Sequence, residues 1–267
     1  MTITPSVPLT GLHDHEPQDA AAVPHDAEAP HDAAPHDPTA RFRRIASAVA
    51  LPLGFVAQAM TNVTYAWVTL DGSSDATTAE ALALSRAHGG TMIWASTFAL
   101  IGCLLIVAGI PTALRVLRWA SPRLSLLAGV LMIAGYVCYF GVVFTSFDQI
   151  ALARHNVPES AFDGSPAMTA GLWVFLVFVA GNLVGTLLLG LAVIVGRRRL
   201  AGLVPYWAGL LIIGWPVGHV TNLVLNNEWF AVAGGLLEVA GLAFVARAAI
   251  RMTREQSMTR PEWVLRG

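Results

Sequence analysis

The chain has 267 residues, of which 55% are hydrophobic and only 12% are charged, and its formal net charge is −1. A soluble domain carries about 25% charged residues. The composition therefore excludes an ordinary soluble protein and indicates an integral membrane protein, whose partner is the lipid bilayer and not a nucleic acid.

The first 44 residues form an acidic leader rich in His, Asp, Pro and Ala, in which the tripeptide Pro-His-Asp occurs three times. Such a composition cannot build an apolar core, so we predict that residues 1–44 are disordered and cytoplasmic. His25, His31 and His36 could share one metal ion. Because ordering a flexible chain costs about 1–2 kcal/mol per residue, we predict no metal site and keep these histidines as weak candidates.

Six apolar stretches follow the leader, and each is long enough to cross a hydrocarbon core of about 30 Å. They occupy residues 45–70, 91–116, 124–147, 170–195, 203–225 and 229–249. We therefore predict an all-α polytopic membrane protein with a transmembrane domain at 45–249 and a cytoplasmic tail at 250–267. The loop between the first two spans is expected to hold a short helix at 77–85, with Asp75 as its N-cap.

Arginine placement predicts the orientation of the spans. Of the 16 basic residues, which are all arginines, only Arg86 and Arg154 lie in the loops on one side of the predicted membrane. The others precede span one, follow span six or lie in the turns between spans two and three and between spans four and five. The positive-inside rule then predicts that both termini are cytoplasmic, in a bacterial cytoplasmic membrane.

Glu238 is the one acid well inside a span, at a depth of roughly 14 Å from Trp229 at about 1.5 Å per residue. A charged side chain at the centre of a membrane helix costs about 2.5–3.5 kcal/mol, so Glu238 should face the bundle interior. It is the first candidate for a functional residue.

Further polar side chains lie in four spans, and in spans one and five they form stripes. Trp215, His219, Asn222 and Asn226 share one face of span five; Gln58, Asn62 and Tyr65 share one face of span one; span four contributes Asn182, and span three Tyr136 and Tyr139. One hypothesis is an internal polar cavity that opens outward, in which a proton or small polar solute moves between Glu238 and His219. The alternative is that Gln58, Asn62 and Asn182 are interhelical hydrogen-bonding residues, each contributing about 0.6 kcal/mol.

Small residues indicate where helices touch. Gly181 with Gly185 and Gly214 with Gly218 have the spacing of glycines at close helix contacts. These pairs predict packing and carry no chemistry.

No catalytic motif is present in the sequence, and we favour a non-enzymatic protein over a membrane-bound enzyme. A haem-binding bundle needs more histidines inside its spans than His219 alone, so we predict no cofactor. His88, His155 and His219 could form a metal site with Asp148, but their spacing is not that of a known metal motif.

The region from Arg41 to Arg254 resembles the functionally uncharacterised six-span integral membrane proteins of GC-rich bacteria. The resemblance rests on the first span, the loop DGSSDATTAEALAL and the arginine-capped IPTALRVLRW. It implies an all-helical protein of the cytoplasmic membrane and brings no activity. Two function classes follow: an accessory or sensory membrane subunit that docks other membrane proteins, which we favour, and a small proton-coupled transporter or channel-like protein with a polar cavity around Glu238.

Overall fold

The computed structural model describes residues 38–73, 77–158, 160 and 166–252, without the side chains of 166–168. These residues form six α-helices: α1 (Ala40–Val68), α2 (Thr78–Leu117), α3 (Pro122–Arg154), α4 (Pro166–Val195), α5 (Tyr206–Leu225) and α6 (Trp229–Arg251). Each helix is long and apolar enough to cross a membrane. The predicted all-α class and the six membrane-spanning helices are confirmed. His25, His31, His36 and the tail from 253 onward lie outside the described residues.

Several helices are longer than the predicted spans because hydropathy marks only the part of a helix that suits hydrocarbon. Helix α1 begins at Ala40, inside the predicted leader, since Arg41, Arg43 and Arg44 favour helix and can extend their charged groups to water. Helix α5 instead begins later than predicted, at Tyr206, because Gly202 adopts a φ of +80° and Pro205 takes the N-cap position.

The short helix expected at 77–85 is the first part of α2, which bends at His88 (φ −124°, ψ 27°). Its N-cap is Thr77; the predicted cap, Asp75, lies outside the described residues. The backbone N–H of Glu80 donates to Thr77 Oγ1 (3.2 Å), and the backbone N–H of Thr77 donates to Glu80 Oε2 (3.1 Å). Threonine followed by glutamate three residues later is a capping box, which satisfies two free donors at once.

The six helices form a ring, because each helix packs against its neighbours in sequence and α1 also packs against α6. Glycines set the closest approaches. A Cβ atom added to Gly181 of α4 would lie 2.7 Å from Gly135 Cα of α3, and one added to Gly218 of α5 would lie 3.0 Å from Gly234 Cα of α6. Both predicted glycine pairs therefore contain a residue at a close helix contact.

The ring places the turns with many arginines at one end, called here the arginine-rich end. There, Arg44 Nη1 of α1 donates to the Met252 carbonyl after α6 (2.8 Å), and Arg199 Nη1 donates to the Ala120 carbonyl between α2 and α3 (3.3 Å). The opposite, arginine-poor end has Arg86, whose Nε donates to the Ala153 carbonyl (3.3 Å).

Candidate functional site: a buried polar cluster around Glu238

Glu238 is 2% exposed and lies in the middle of α6. Its burial follows from the glycines on the same helix. A Cβ at Gly234 would be 2.7 Å from the Gly214 carbonyl oxygen, and a Cβ at Gly241 would be 2.6 Å from the Ala208 carbonyl oxygen. The backbone of α5 therefore lies directly against α6 on both sides of Glu238 along the helix, which shields the carboxyl group from lipid and from water.

Helix α4 supplies the hydrogen-bond partner of this carboxyl group. Thr186, which is fully buried, donates its Oγ1 hydroxyl to Glu238 Oε1 at 3.3 Å. Asn182 lies one turn earlier on the same face of α4, and its Oδ1 accepts a 2.6 Å hydrogen bond from Trp215 Nε1 of α5. Two buried interhelical hydrogen bonds thus join α4 to both α5 and α6.

Tyr136 of α3 completes the group. It is 1% exposed and lies within side-chain hydrogen-bonding reach of Asn182. We call these side chains, all at most 8% exposed and drawn from four consecutive helices, the Glu238 cluster: Tyr136, Asn182, Thr186, Trp215 and Glu238.

Helix α1 contacts the cluster through Tyr136, and α1 is in turn bonded to α2. The ring of Tyr136 makes an edge-to-face contact with Phe55 of α1, with centroids 5.9 Å apart. The buried Cys103 belongs to α2. Gln58 lies beside Cys103, and its Nε2 donates to the Ala99 carbonyl at 3.1 Å. Gln58 therefore ties α1 to α2, which is the interhelical role that the sequence left open for it.

The structure places the other predicted polar residues around the cluster. His219 lies one turn after Trp215, with ring centroids 5.1 Å apart, and its buried Nδ1 has no hydrogen-bond partner within the described ranges. Asn222 is also buried, at 5% exposure. Asn62 lies near the α1–α6 contact, with Nδ2 3.8 Å from the position of a Cβ on Gly235. Glu238 and Asn182 are thus in the cluster. Of the others, His219 contacts Trp215 of the cluster, whereas Asn222, Asn62 and Gln58 lie outside it.

Thr186 is the functional candidate that sequence reasoning missed. A threonine inside a membrane helix usually satisfies itself by donating to the carbonyl four residues earlier, as Thr97 does to Ile93 (2.7 Å). The type of residue therefore carried little information. The available signal was position: Thr186 follows Asn182 by one helical turn, so both must share a face.

The predicted cavity around Glu238 remains a prediction. In the structure, the polar side chains of the cluster bond to one another: Thr186 to Glu238, and Trp215 to Asn182. The structure does contain a cavity of about 360 Å³ at the arginine-rich end, lined by residues that include Arg197, Arg198 and Tyr206.

Across the described part of the chain, no three His, Cys, Asp or Glu residues are close enough to hold a metal ion. His88, His155, His219 and Asp148 are all described and do not form such a group.

The loop after α1 contains an exposed acid, Asp71, whose surroundings differ from those of the buried Glu238. Asp71 Oδ1 accepts hydrogen bonds from the Ser73 hydroxyl (2.5 Å) and backbone N–H (2.9 Å). These bonds stabilise the carboxylate and lower the pKa of Asp71 from its ordinary 3.8. Asp71 is therefore ionised throughout the neutral pH range, and a response of the protein near neutral pH must originate elsewhere.

The fold and the cluster together define an all-helical protein that has six membrane-capable helices and a carboxyl group buried among them. Comparisons of the chain with models of protein families, with curated proteins and with solved structures found no match.

Proposed function

We propose that this protein is a sensory or accessory subunit of a membrane complex, in which proton exchange at Glu238 alters the packing of α4, α5 and α6. The observation that carries the proposal is the hydrogen bond from Thr186 to Glu238, because it connects α6 to the face of α4 that also binds Trp215 of α5.

A negative charge on Glu238 is costly in free energy. A carboxylate in a membrane interior loses its hydration and needs compensation from neighbouring groups. Among the described residues, the hydrogen-bond donor to the carboxyl of Glu238 is one neutral hydroxyl. Gain or loss of a proton therefore changes the free energy of this site strongly, and the change acts on the helices that meet there.

The close packing of α4, α5 and α6 around Glu238 favours a conformational switch over a transport pathway. Trp215 and Asn182 are joined at 2.6 Å, and Gly234 and Gly241 bring α5 and α6 into backbone contact around Glu238. Packed interfaces of this kind have discrete arrangements and do not deform continuously. A proton on Glu238 can then favour one arrangement, and partner membrane proteins can recognise the difference on the outer surface of the ring.

We further propose the bacterial cytoplasmic membrane as the location, with both termini in the cytoplasm. The support is the grouping of arginines: Arg44, Arg118, Arg123, Arg197 and Arg251 belong to helix ends or turns at the arginine-rich end. The positive-inside rule assigns that end to the cytoplasm. Labelling of a cysteine introduced at Asp148 by an impermeant reagent tests the orientation, and labelling only after cell lysis would contradict it.

The test of the switch compares hydrogen–deuterium exchange of the full-length protein in nanodiscs across pH for the wild type, Glu238→Gln and Asp148→Asn. Glutamine has the shape of a protonated glutamate but cannot release a proton. We expect the wild type and Asp148→Asn, in which an exposed acid is neutralised, to change exchange in α4–α6 with pH. Glu238→Gln should lose this change. An unaltered pH response of Glu238→Gln would contradict the proposal.

The second candidate is a proton-coupled transporter, and the observation that favours it is His219. Its buried Nδ1 lacks a partner among the described residues, and its ring adjoins Trp215 of the cluster. The polar residues therefore continue from Glu238 through Thr186, Asn182 and Trp215 to His219. Proton flux in proteoliposomes that is present in the wild type and absent in both Glu238→Gln and His219→Phe would select this function, whereas flux in neither protein nor variant would exclude it.

A further inference from the structure

We propose that the open cavity at the arginine-rich end, formed by the turn that joins α4 to α5, binds the phosphate headgroup of an anionic phospholipid. The cavity has a volume of about 360 Å³ and is lined by Arg197, Arg198, Gly202, Pro205 and Tyr206, among others. It is separate from the Glu238 cluster, so it constitutes a second site with a different chemistry.

Two arginines that are consecutive in sequence and both line this cavity make it suitable for a phosphate. Arginine presents planar N–H donors that can bind two phosphate oxygens at once, and it keeps its charge at any physiological pH. Tyr206 adds a hydroxyl group and is also the first residue of α5. In the first turn of α5, the Ala208 N–H donates to the Pro205 carbonyl (3.0 Å). The first backbone N–H groups of a helix point towards its start, which favours an anion there.

The turn that carries these groups is held in place from the inside. Leu200 and Val204 are buried, at 0% and 2% exposure, and Arg199 Nη1 donates to the Ala120 carbonyl at 3.3 Å. Gly202 takes a φ of +80°, a conformation that side chains other than glycine rarely adopt. Leu200 and Val204 thus anchor the turn, while Arg197 and Arg198 remain exposed and available to a ligand.

The surroundings of the cavity favour a lipid over a free phosphate. From Tyr206 (53% exposed), the outer face of α5 continues with Trp207 (41%) and Leu210 (54%), which are apolar and lead away from the arginines along the helix. Trp207 is fixed by an edge-to-face contact with Phe244, at 4.5 Å between centroids. A headgroup at Arg197 and Arg198 would place its acyl chains along this face. Basic cavities between membrane helices are known to bind anionic headgroups in this manner.

The experiment measures lipid retention by native mass spectrometry. The full-length protein is released from nanodiscs of phosphatidylcholine that contain a minor fraction of phosphatidylglycerol. The variant R197Q/R198Q removes two charges from the cavity, and R247Q/R251Q removes two exposed arginines of α6 at the same end of the bundle as a matched control. We expect each cavity arginine to contribute about fivefold to phosphatidylglycerol affinity, and the control to retain phosphatidylglycerol as the wild type does.

A conservative variant and a soluble competitor complete the design. R197K/R198K keeps both charges but loses the planar donors, so its retention should lie between the wild type and R197Q/R198Q even if the latter folds poorly. Equal losses in R197Q/R198Q and R247Q/R251Q would overturn the proposal in favour of general surface attraction. Full displacement of phosphatidylglycerol by inorganic phosphate would overturn the lipid as occupant and indicate a site for a free anion.

Discussion

The two halves of α4 differ in a way that explains where the candidate site lies. Residues 171–177, towards the arginine-poor end, are all exposed, although every one is apolar or glycine. Residues 181–193 include Gly181, Asn182, Gly185 and Thr186, which are all buried, as are most residues of this range. The more hydrophobic half is on the outside and the less hydrophobic half is inside.

This arrangement is the reverse of a soluble helix, and it follows from the bilayer as solvent. Lipid tails are as apolar as leucine, so a helix gains little by hiding apolar surface from them. Association depends instead on close van der Waals packing and on hydrogen bonds between polar side chains. Helix α4 therefore buries the half that offers Gly181 for close approach and Asn182 and Thr186 for hydrogen bonds. Glu238 of α6 is bonded to this half through Thr186.

The strongest test of this difference replaces a tryptophan at each half. Trp215→Ala removes the hydrogen bond to Asn182 and the ring packed against the buried half of α4, and should destabilise the protein by about 3–5 kcal/mol. Trp173→Ala, in the exposed half, is expected to change stability by less than about 1 kcal/mol because its side chain is 65% exposed. Unfolding in mixed micelles with increasing SDS measures both, and equal losses would show that the two halves do not differ.

A smaller effect is expected from filling the space at a glycine in each half. In Gly181→Val, the Cβ would lie 2.7 Å from Gly135 Cα, so α3 and α4 must separate, at a cost of about 1–3 kcal/mol. Gly171→Val is the matched control, because a Cβ there meets no atom within 4 Å. The same unfolding assay applies to both. If the two variants were equally stable, the close α3–α4 approach would not contribute to stability.

The sequence was sufficient for the fold class because hydropathy over about 20 residues is a strong signal for a membrane helix. It also predicted the burial of Glu238, since lipid exposure of an acid is costly. It could not predict which side chain bonds to Glu238. That pairing depends on the rotation of α4 relative to α6, which is set by glycine contacts such as Gly181 on Gly135 and Gly234 on α5, and hydropathy does not report rotation.

The boundaries and the caps were predicted less well, for a local reason. Asp75 and Thr77 are both good N-cap residues, and the choice of Thr77 depends on Glu80, three residues later, which completes the reciprocal pair. Likewise, span five was expected to start at Leu203, but the positive φ of Gly202 delays the helix to Tyr206. The helix propensity of single residues does not account for a capping pair such as Thr77 with Glu80, or for a turn such as the one at Gly202.

The smallest expected effect comes from the hydroxyl that holds Glu238. Thr186→Val keeps the shape of the side chain and removes the 3.3 Å hydrogen bond, which should cost about 0.6 kcal/mol, the average for polar contacts between membrane helices. Thr169→Val, at an exposed position of the other half, should leave stability unchanged. The informative readout is pH: without the Thr186 hydroxyl, the carboxyl of Glu238 loses its donor from α4, so the exchange of α4 should depend less on pH than in the wild type. A Thr186→Val variant whose α4 exchange follows pH as in the wild type would mean that α4 does not sense Glu238 through this bond, and the switch would then have to act through α5 alone.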